Sequence, residues 1–191
     1  INSISDKTYG FSPAEISNIC NEASIISIRK NKEEINMEIL NEAIEYTIIG
    51  PERRSRSLNE EEKNIVAHHE SGHAFMSYCL KNTEIPIKVS IVPRGNSALG
   101  FSMSNISEKK LMKKNDLIDK MCVLIGGRVA EEIFFNDITN GAYDDIEKLT
   151  KIAKSYVKLF GMDKEMGYIN YDYNLKSGMM IKDYSDNTND K

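Results

Sequence analysis

The stretch "AHHESGHAF", residues 67–75, places two histidines four positions apart with a glutamate between them. On an α-helix, side chains four positions apart lie one turn above each other on the same face. His69 and His73 can therefore present imidazole nitrogens to one metal ion. Glu70 lies about 100 degrees round the helix from His69, close to the metal without having to bind it. The stretch predicts a metal-binding helix.

The glutamate gives this HExxH pattern its chemical meaning. Zinc bound by such a pair polarises a water molecule and the glutamate takes its proton, so we predict Glu70 to be the general base. We expect Gly72 to keep the groove beside the metal shallow, so that a substrate can approach, and His68 to lie at the surface. The alternative is a solvent-facing pair, but in a chain with three histidines a chance HExxH is uncommon, on the order of one in several hundred chains.

A catalytic zinc needs a third protein ligand and an open fourth position. The three histidines are His68, His69 and His73, so a third histidine further along the motif is excluded and we expect a carboxylate. Spacing alone does not choose among the candidates, and the two aspartates are equally suited to be ordinary N-terminal charges of a helix. The candidates are Glu131, Glu132, Asp144 and Asp145.

Composition limits the class of protein. The chain of 191 residues is 40% hydrophobic and 28% charged, which predicts one or two globular domains. A net charge of -4 argues against a nucleic-acid partner. The three cysteines, Cys20, Cys79 and Cys122, form no CxxC pair, so we expect a reducing compartment and a buried helix face for each. No apolar run approaches the roughly 18 residues of a membrane span, and any anchor is expected outside this stretch.

The first part of the chain, residues 1–50, is predicted to be the end of a domain that begins upstream. The segment "SPAE", residues 12–15, is a capping box that opens a helix to about Arg29 with Ile16, Ile19, Cys20, Ala23 and Ile26 on its buried stripe. A second helix carries Met37, Leu40, Ala43 and Ile44 and is stopped by Gly50. The charged residues 51–58 are predicted to be a linker.

Residues 59–170 are predicted to be the metal-binding domain. Ser57 and Glu60 are a capping box for a helix to about Leu80, and alternating residues around Val89 and from Leu99 to Met103 predict two antiparallel strands. A helix follows over residues 108–135, in which Gly126 and Gly127 indicate close packing or a bend. The last helix covers residues 144–160 with Gly161 as its cap, and the polar tail 171–191 is expected to be largely disordered. The expected fold is mainly α with a small antiparallel sheet.

Several motifs occur in an order that resembles the membrane-anchored AAA metalloproteases of the FtsH type, most of all the mitochondrial members that face the matrix. The resemblance covers about residues 9–184. The motifs are "YGFSPAEI" (9–16), "GPERRSR" (50–56), "HHESGHA" (68–74), "KVSIVPRG" (88–95), "ALGFS" (98–102), "DKMCVLIGGRVAEEIFF" (119–135), "ITNGAYDDI" (138–146) and "LFGMDKEMG" (159–167).

The resemblance implies roles for individual site residues. Asp145 is the position that completes the zinc site in this family, with one Zn²⁺ per chain held by His69, His73 and Asp145. A glutamate of the double-glycine motif, Glu131 or Glu132, supports the site. Asp144 adds a second acid there, and Asn140 stands where the family usually has threonine.

The resemblance also implies a substrate strand and a nucleotide-dependent partner domain. The segment Ala98, Leu99, Gly100, Phe101 and Ser102 is similar to the edge strand that receives an extended substrate, the alternative being a hairpin strand of the core. "YGFSPAEI" is similar to the start of the last AAA-domain helices. Since this chain has no Walker A loop, ATP and Mg²⁺ are expected only in the intact protein.

The function that the resemblance implies is a zinc endopeptidase acting on unfolded or membrane-extracted proteins, within a homo- or hetero-hexameric, membrane-anchored, ATP-driven ring. The expected location is the mitochondrial inner membrane facing the matrix. A plastid-type organelle is the alternative, because the abundance of Asn, Lys and Ile indicates an AT-rich genome. The alternative functions are a non-catalytic assembly or chaperone module of the same fold and a secreted single-domain zinc peptidase. Glu70 opposes the first, and the odd cysteine number opposes the second.

Overall fold

The structure is a computed structural model that describes residues 2–52, 58–94, 99–104, 109 and 111–171. Helices dominate this part of the chain and a two-stranded antiparallel sheet joins them, so the expected fold class is confirmed. None of the described helices combines the length and the apolar character that a membrane crossing requires. Some predicted features lie outside the described residues, namely Ser57, Ala98, Glu108 and the tail from residue 172 onward.

The first helical unit has three helices, α1 (Asn2–Lys7), α2 (Pro13–Arg29) and α3 (Met37–Ile49). The short α1 has no counterpart in the sequence prediction. The predicted capping box at the start of α2 is confirmed, because the Ser12 hydroxyl accepts from the Glu15 amide and the Glu15 carboxylate accepts from the Ser12 amide at 2.7 Å. α3 ends at Gly50, whose φ of 94° is a conformation that glycine adopts without strain.

The core of this unit is the seam between α2 and α3. Six side chains fill it, namely Ile19, Ala23, Ile26, Ile39, Ala43 and Ile44. The predicted stripe on α2 was too wide, because Ile16 is 44% exposed and Cys20 is exposed as well. The reason is geometric. A single neighbouring helix covers a narrower stripe of α2 than the stripe marked by apolar residues at three- and four-residue steps.

The second unit contains the metal-binding helix and its partners. Its elements are α4 (Glu60–Cys79), β1 (Pro86–Ser90), β2 (Phe101–Ser104), α5 (Lys114–Phe135) and α6 (Tyr143–Lys154). The two strands pair antiparallel with Ser90 opposite Phe101, and the register is irregular between Pro86 and Lys88. The predicted hairpin is therefore present, with its first strand ending at Ser90.

α4 and α5 touch through their backbones. A Cβ on Gly126 would lie 2.8 Å from the carbonyl oxygen of Gly72, and a Cβ on Gly72 would lie closer still to the carbonyl oxygen of Gly126. Such distances leave no room for any side chain, so the prediction that the double glycine marks close packing is confirmed. The prediction for Gly72 was wrong, because this residue faces α5 and makes no opening for a substrate.

The helix starts differ from the prediction. α4 begins after Asn59, whose side chain accepts from the Glu62 amide at 2.7 Å while its own amide donates to the Glu62 carboxylate at 3.0 Å. The predicted Ser57–Glu60 box was therefore wrong by two residues. α5 begins at Lys114, later than predicted, because the Lys113 amide donates to the Asp116 carboxylate at 2.6 Å and fixes the first turn there.

The last helix changes its winding before it ends. α6 stops at Lys154, and residues Ser155–Leu159 form a π-helical turn, in which the Phe160 amide donates to the Ser155 carbonyl at 2.9 Å. Gly161 follows with a φ of 56°, which confirms it as the predicted stop.

The cysteines correct another prediction. All three are free, and Cys20 and Cys79 are exposed while Cys122 is half-buried. A buried helix face for each was wrong because Cys20 lies beside the narrow α2 seam and Cys79 is the last residue of α4.

Candidate metal centre

α4 carries the two histidines and the glutamate on a face that the rest of the unit covers. His69, Glu70 and His73 are 8%, 9% and 9% exposed. The four-residue spacing brings the two imidazoles together, with His69 Nε2 3.1 Å from His73 Nε2. The solvent-facing alternative for the histidine pair is wrong.

Asp145, in the first turn of α6, completes a triangle with these nitrogens. Its Oδ2 atom lies 3.4 Å from His69 Nε2 and 3.3 Å from His73 Nε2. Within the described residues, these three side chains form the group of histidines and acids that could hold a metal ion. Of the four candidate carboxylates, Asp145 is thus the one that the structure brings to the two Nε2 atoms.

The other nitrogen of each imidazole is already engaged. His73 Nδ1 lies 2.8 Å from the backbone carbonyl of Val123, which can only accept, so His73 carries its proton on Nδ1. His69 Nδ1 lies 2.6 Å from Glu131 Oε1 and donates to that carboxylate. In the neutral imidazoles both Nε2 atoms are consequently bare acceptors. Together with the Asp145 oxygen they form a cluster of three lone pairs that a cation would satisfy.

The spacing of the three atoms fits zinc. Two ligand atoms each about 2.05 Å from a tetrahedral centre are about 3.3 Å apart. The observed separations of 3.1, 3.3 and 3.4 Å bracket that value. Two imidazoles and one carboxylate are also a donor set that zinc accepts in catalytic sites, with the fourth position left for water or substrate.

The pKa values respond to this crowding of acceptors. Burial favours the neutral form of Asp145, but hydrogen bonds and charge from His69 and His73 outweigh it and hold the pKa of that carboxyl well below its usual range. Burial also favours the neutral form of His69, which lowers its pKa. Hydrogen bonds to Asp145 and Glu131 outweigh this effect, so the pKa of His69 is raised overall. A proton on His69 and a cation bound by the three atoms would therefore compete, because each relieves the same crowding of lone pairs.

Glu131 orients the first histidine. It is 1% exposed, and while one oxygen holds His69, the other accepts from the Thr139 amide at 2.7 Å. Both oxygens therefore have defined roles, which is the arrangement by which a carboxylate fixes the tautomer of a metal-binding histidine. Gly127 makes room for that ring, because a Cβ there would lie 2.6 Å from His69 Nε2.

Glu70 differs from Glu131 in its hydrogen bonding. Within the part of the chain that the structure describes, its carboxylate accepts no hydrogen bond from a protein group. Burial raises the pKa of Glu70, although charge on His73 and His69 opposes the rise. A buried carboxylate with free lone pairs and a raised pKa beside a metal site is suited to take and return a proton.

The start of β2 lies against this glutamate. A Cβ on Gly100 would lie 2.8 Å from Glu70 Cγ and 2.9 Å from the Ser90 carbonyl oxygen. β1 pairs with β2 on one side, and no further strand pairs with β2 among the residues described. Of the predicted substrate strand, Gly100 thus lies beside Glu70, and Phe101 and Ser102 follow it as the first residues of β2.

The remaining predicted residues lie away from the triangle. Glu132 and Asp144 are exposed, and so is Asn140. His68 is half-buried, with its ring 4.7 Å from that of Phe134 and 5.0 Å from that of Phe135, so the prediction of a surface residue was too simple.

Two contributors were missed altogether, the Val123 carbonyl and the Thr139 amide. Both are backbone groups, which leave no residue-type signal in a sequence. The double glycine was the one indirect sign, because it allows α5 to approach the histidines.

Comparison with protein families matches both parts of the chain. Residues 56–191 match peptidase family M41, and residues 1–42 match the AAA+ lid domain. The first match alone covers more than half of the chain, and it includes His69, His73 and Asp145.

Individual proteins similar to this chain are named as proteases of the same family. An ATP-dependent zinc metalloprotease FtsH of Rhodothermus marinus is 41% identical over 188 residues, 97% of this chain and 27% of the relative. FtsH 2 of Bdellovibrio bacteriovorus is 44% identical over 166 residues, 86% of this chain and 27% of the relative. The mouse mitochondrial inner membrane m-AAA protease component AFG3L2 is 42% identical over 182 residues, 95% of this chain and 23% of the relative.

The chain spans about a quarter of the length of each of these relatives, 23% to 27%. The expected likeness to FtsH-type proteases is confirmed. The narrower likeness to the mitochondrial members is not favoured, because the bacterial proteins are as similar to the chain as the mouse protein is.

Proposed function

Because the chain belongs to peptidase family M41 and carries AAA+ lid sequence ahead of the peptidase part, we propose that it is the zinc endopeptidase portion of an ATP-dependent protease of the FtsH type. One observation carries the proposal. Two imidazole nitrogens and a carboxylate oxygen converge within 3.4 Å of one another, and the other imidazole nitrogens are held by a carboxylate and a carbonyl.

His69, His73 and Asp145 would hold the ion in the proposed site. A zinc ion held there supplies Lewis-acid activation of water and of the scissile carbonyl. Glu131 keeps His69 in the tautomer that leaves Nε2 free, and the Val123 carbonyl does the same for His73. We propose Glu132 and Asp144 as no more than peripheral charges of the site, since both side chains are exposed.

Glu70 is the proposed general base. Its free lone pairs take a proton from the attacking water, and its raised pKa lets it return that proton to the leaving amine. Burial to 9% exposure keeps bulk water from competing for the carboxylate. Positioned acid and base groups of this kind contribute about 10²–10⁴-fold to rate.

The proposed substrate is an unfolded polypeptide that adds as a strand beside residues 98–102. The support for this part of the proposal is the close approach of Gly100 to Glu70, since a strand added there would lie near the proposed base. An added strand receives its hydrogen bonds from backbone groups, so affinity would depend little on substrate sequence.

The features of the whole protein extend the proposal. We propose that it is a homo- or hetero-hexameric, membrane-anchored ring in which ATP with Mg²⁺ drives unfolding or membrane extraction of substrates. Residues 1–50 would be its lid part, 51–58 a linker, 59–170 the peptidase and 171–191 a polar tail. The mitochondrial inner membrane is the proposed location, supported by the mouse relative, with a plastid-type organelle as the alternative.

The test compares the intact protein with its Glu70→Gln variant on an unfolded substrate such as casein, with zinc and ATP supplied. Glu61→Gln is the matched control, because Glu61 is an exposed residue in the first turn of the same helix. We expect Glu70→Gln to lower kcat by about 10²-fold or more while zinc content stays at one per chain. Equal cleavage by the two proteins would overturn the assigned mechanism.

A further inference from the structure

The first helical unit is tied to the β-sheet by ion pairs that converge on Glu45. This residue lies on α3, and although charged it is 7% exposed. Its Oε1 lies 2.6 Å from Lys88 Nζ on β1, and its Oε2 lies 3.1 Å from Arg94 Nη2, just beyond β1. One carboxylate of the lid part thus receives two cations of the peptidase part.

Arg94 is the more constrained of these cations. It is 5% exposed, and its Nη2 also lies 3.1 Å from Glu52 Oε1, after the end of α3. The backbones of Glu52 and Arg94 form an isolated antiparallel bridge as well. Since a buried guanidinium is costly unless paired, the position of Arg94 depends on these carboxylates.

Arg94 also contacts the strand that lies beside α4, the helix that carries Glu70. The Arg94 guanidinium carbon lies 5.6 Å from the ring centroid of Phe101, the first residue of β2, and that ring is 9% exposed. Phe101 follows Gly100, the residue packed against Glu70. A continuous set of contacts therefore runs from Glu45 through Arg94 and Phe101 to the proposed general base.

A cavity of about 440 Å³ lies beside these ion pairs, between α3 and the sheet. Its walls include Ile44 and Glu45 on one side and Ile87, Arg94 and Met103 on the other. Beside this space, the ion pairs of Glu45 with Lys88 and Arg94 connect α3 to the sheet side.

We infer that Glu45 and Arg94 are positioning residues for the peptidase, which hold the start of β2 against Glu70 and let movement of the lid helix α3 shift the strand that receives the substrate. This inference rests on the proposed function for its kinetic consequence. Neither residue touches the reacting atoms, so the effect is on strand position. Substrate binding should therefore change more than the chemical step.

The kinetic test uses the intact protein, saturating ATP and a short unstructured fluorogenic peptide. Glu45→Gln is expected to raise KM about tenfold, with kcat changed less than about twofold, and Glu45→Asp is expected to restore part of the loss. Glu42→Gln is the matched control, because Glu42 lies on the same helix and pairs with Lys30 inside the lid part. Equal KM values for Glu45→Gln and Glu42→Gln would overturn the inference.

Hydrogen exchange supplies a readout that needs neither cleavage nor a variant. In the intact wild-type protein, the amides of residues 101–104 should exchange at different rates with ADP and with a non-hydrolysable ATP analogue, while α4 amides should not. Identical β2 exchange in the two states would overturn the inference. Absence of cleavage by the wild type would instead refute the proposed function, and the exchange result would still decide on the inference.

Discussion

Replacing Gly127 by alanine tests whether the double glycine serves the metal site. A Cβ at this position would lie 2.6 Å from both Cε1 and Nε2 of His69 and 2.7 Å from its Cδ2. The ring cannot retreat freely, because its Nδ1 is held at 2.6 Å by Glu131, which is itself 1% exposed. α5 cannot retreat freely either, since Gly126 is in backbone contact with Gly72.

The magnitude follows from two opposed effects on the free energy of unfolding. Alanine in place of a helical glycine gains about 1 kcal/mol of helix propensity, whereas overpacking a filled site costs about 1–3 kcal/mol. We therefore expect the Gly127→Ala chain to be less stable by up to about 2 kcal/mol. Zinc affinity should fall by about 10–100-fold, because His69 loses the orientation that Glu131 gives it.

Zinc affinity is measured by competition with a chromogenic chelator, and stability by denaturant unfolding of the metal-free chain. The control is Gly141→Ala, whose Cβ would meet nothing nearer than Thr139 Oγ1 at 3.2 Å. It should bind zinc within about threefold of the wild type. A Gly127→Ala chain that bound zinc as tightly as the wild type and was more stable would refute the steric argument.

Three further predictions concern the same site. Glu131→Gln should weaken zinc binding by about 10–100-fold in chelator competition, whereas the exposed neighbour change Glu132→Gln should leave it unaltered. Asp145→Asn should abolish one-to-one zinc retention in metal analysis, and Asp144→Asn should preserve it; the reverse pattern would contradict the assigned ligand set. Zinc affinity followed by calorimetry should rise with pH through and beyond about 6.5, because the raised pKa of His69 keeps a competing proton in place at lower pH. A flat profile between pH 6 and 8 would contradict that assignment.

Local patterns predicted most of the helical fold. The Ser12–Glu15 box and the Gly50 stop set the ends of α2 and α3 within the sequence itself, because a cap is made by residues three positions apart. The cap of α4 shows the limit of such reasoning. Both Ser57 and Asn59 are acceptable cap residues with a glutamate three positions on, and the chain uses Asn59.

The metal site also has one part that local sequence patterns predict and one part that they do not. His69, Glu70 and His73 lie on one helix, so their proximity follows from its period. Residue types could not distinguish Asp145 from Asp144, or Glu131 from Glu132, because each pair offers identical chemistry on adjacent positions. The difference arises from rotation of α5 and α6 against α4, which buries Glu131 and leaves Glu132 exposed. That rotation is set by contacts between residues far apart in the chain.

α6 has no fully buried side chain, yet it supplies Asp145. A zinc ion held by His69, His73 and Asp145 would therefore add to the attachment of α6, because it would join residues 76 positions apart, 69 and 145. Zinc binding would then also stabilise the docking of α6, so the proposed peptidase activity would appear only where zinc is supplied.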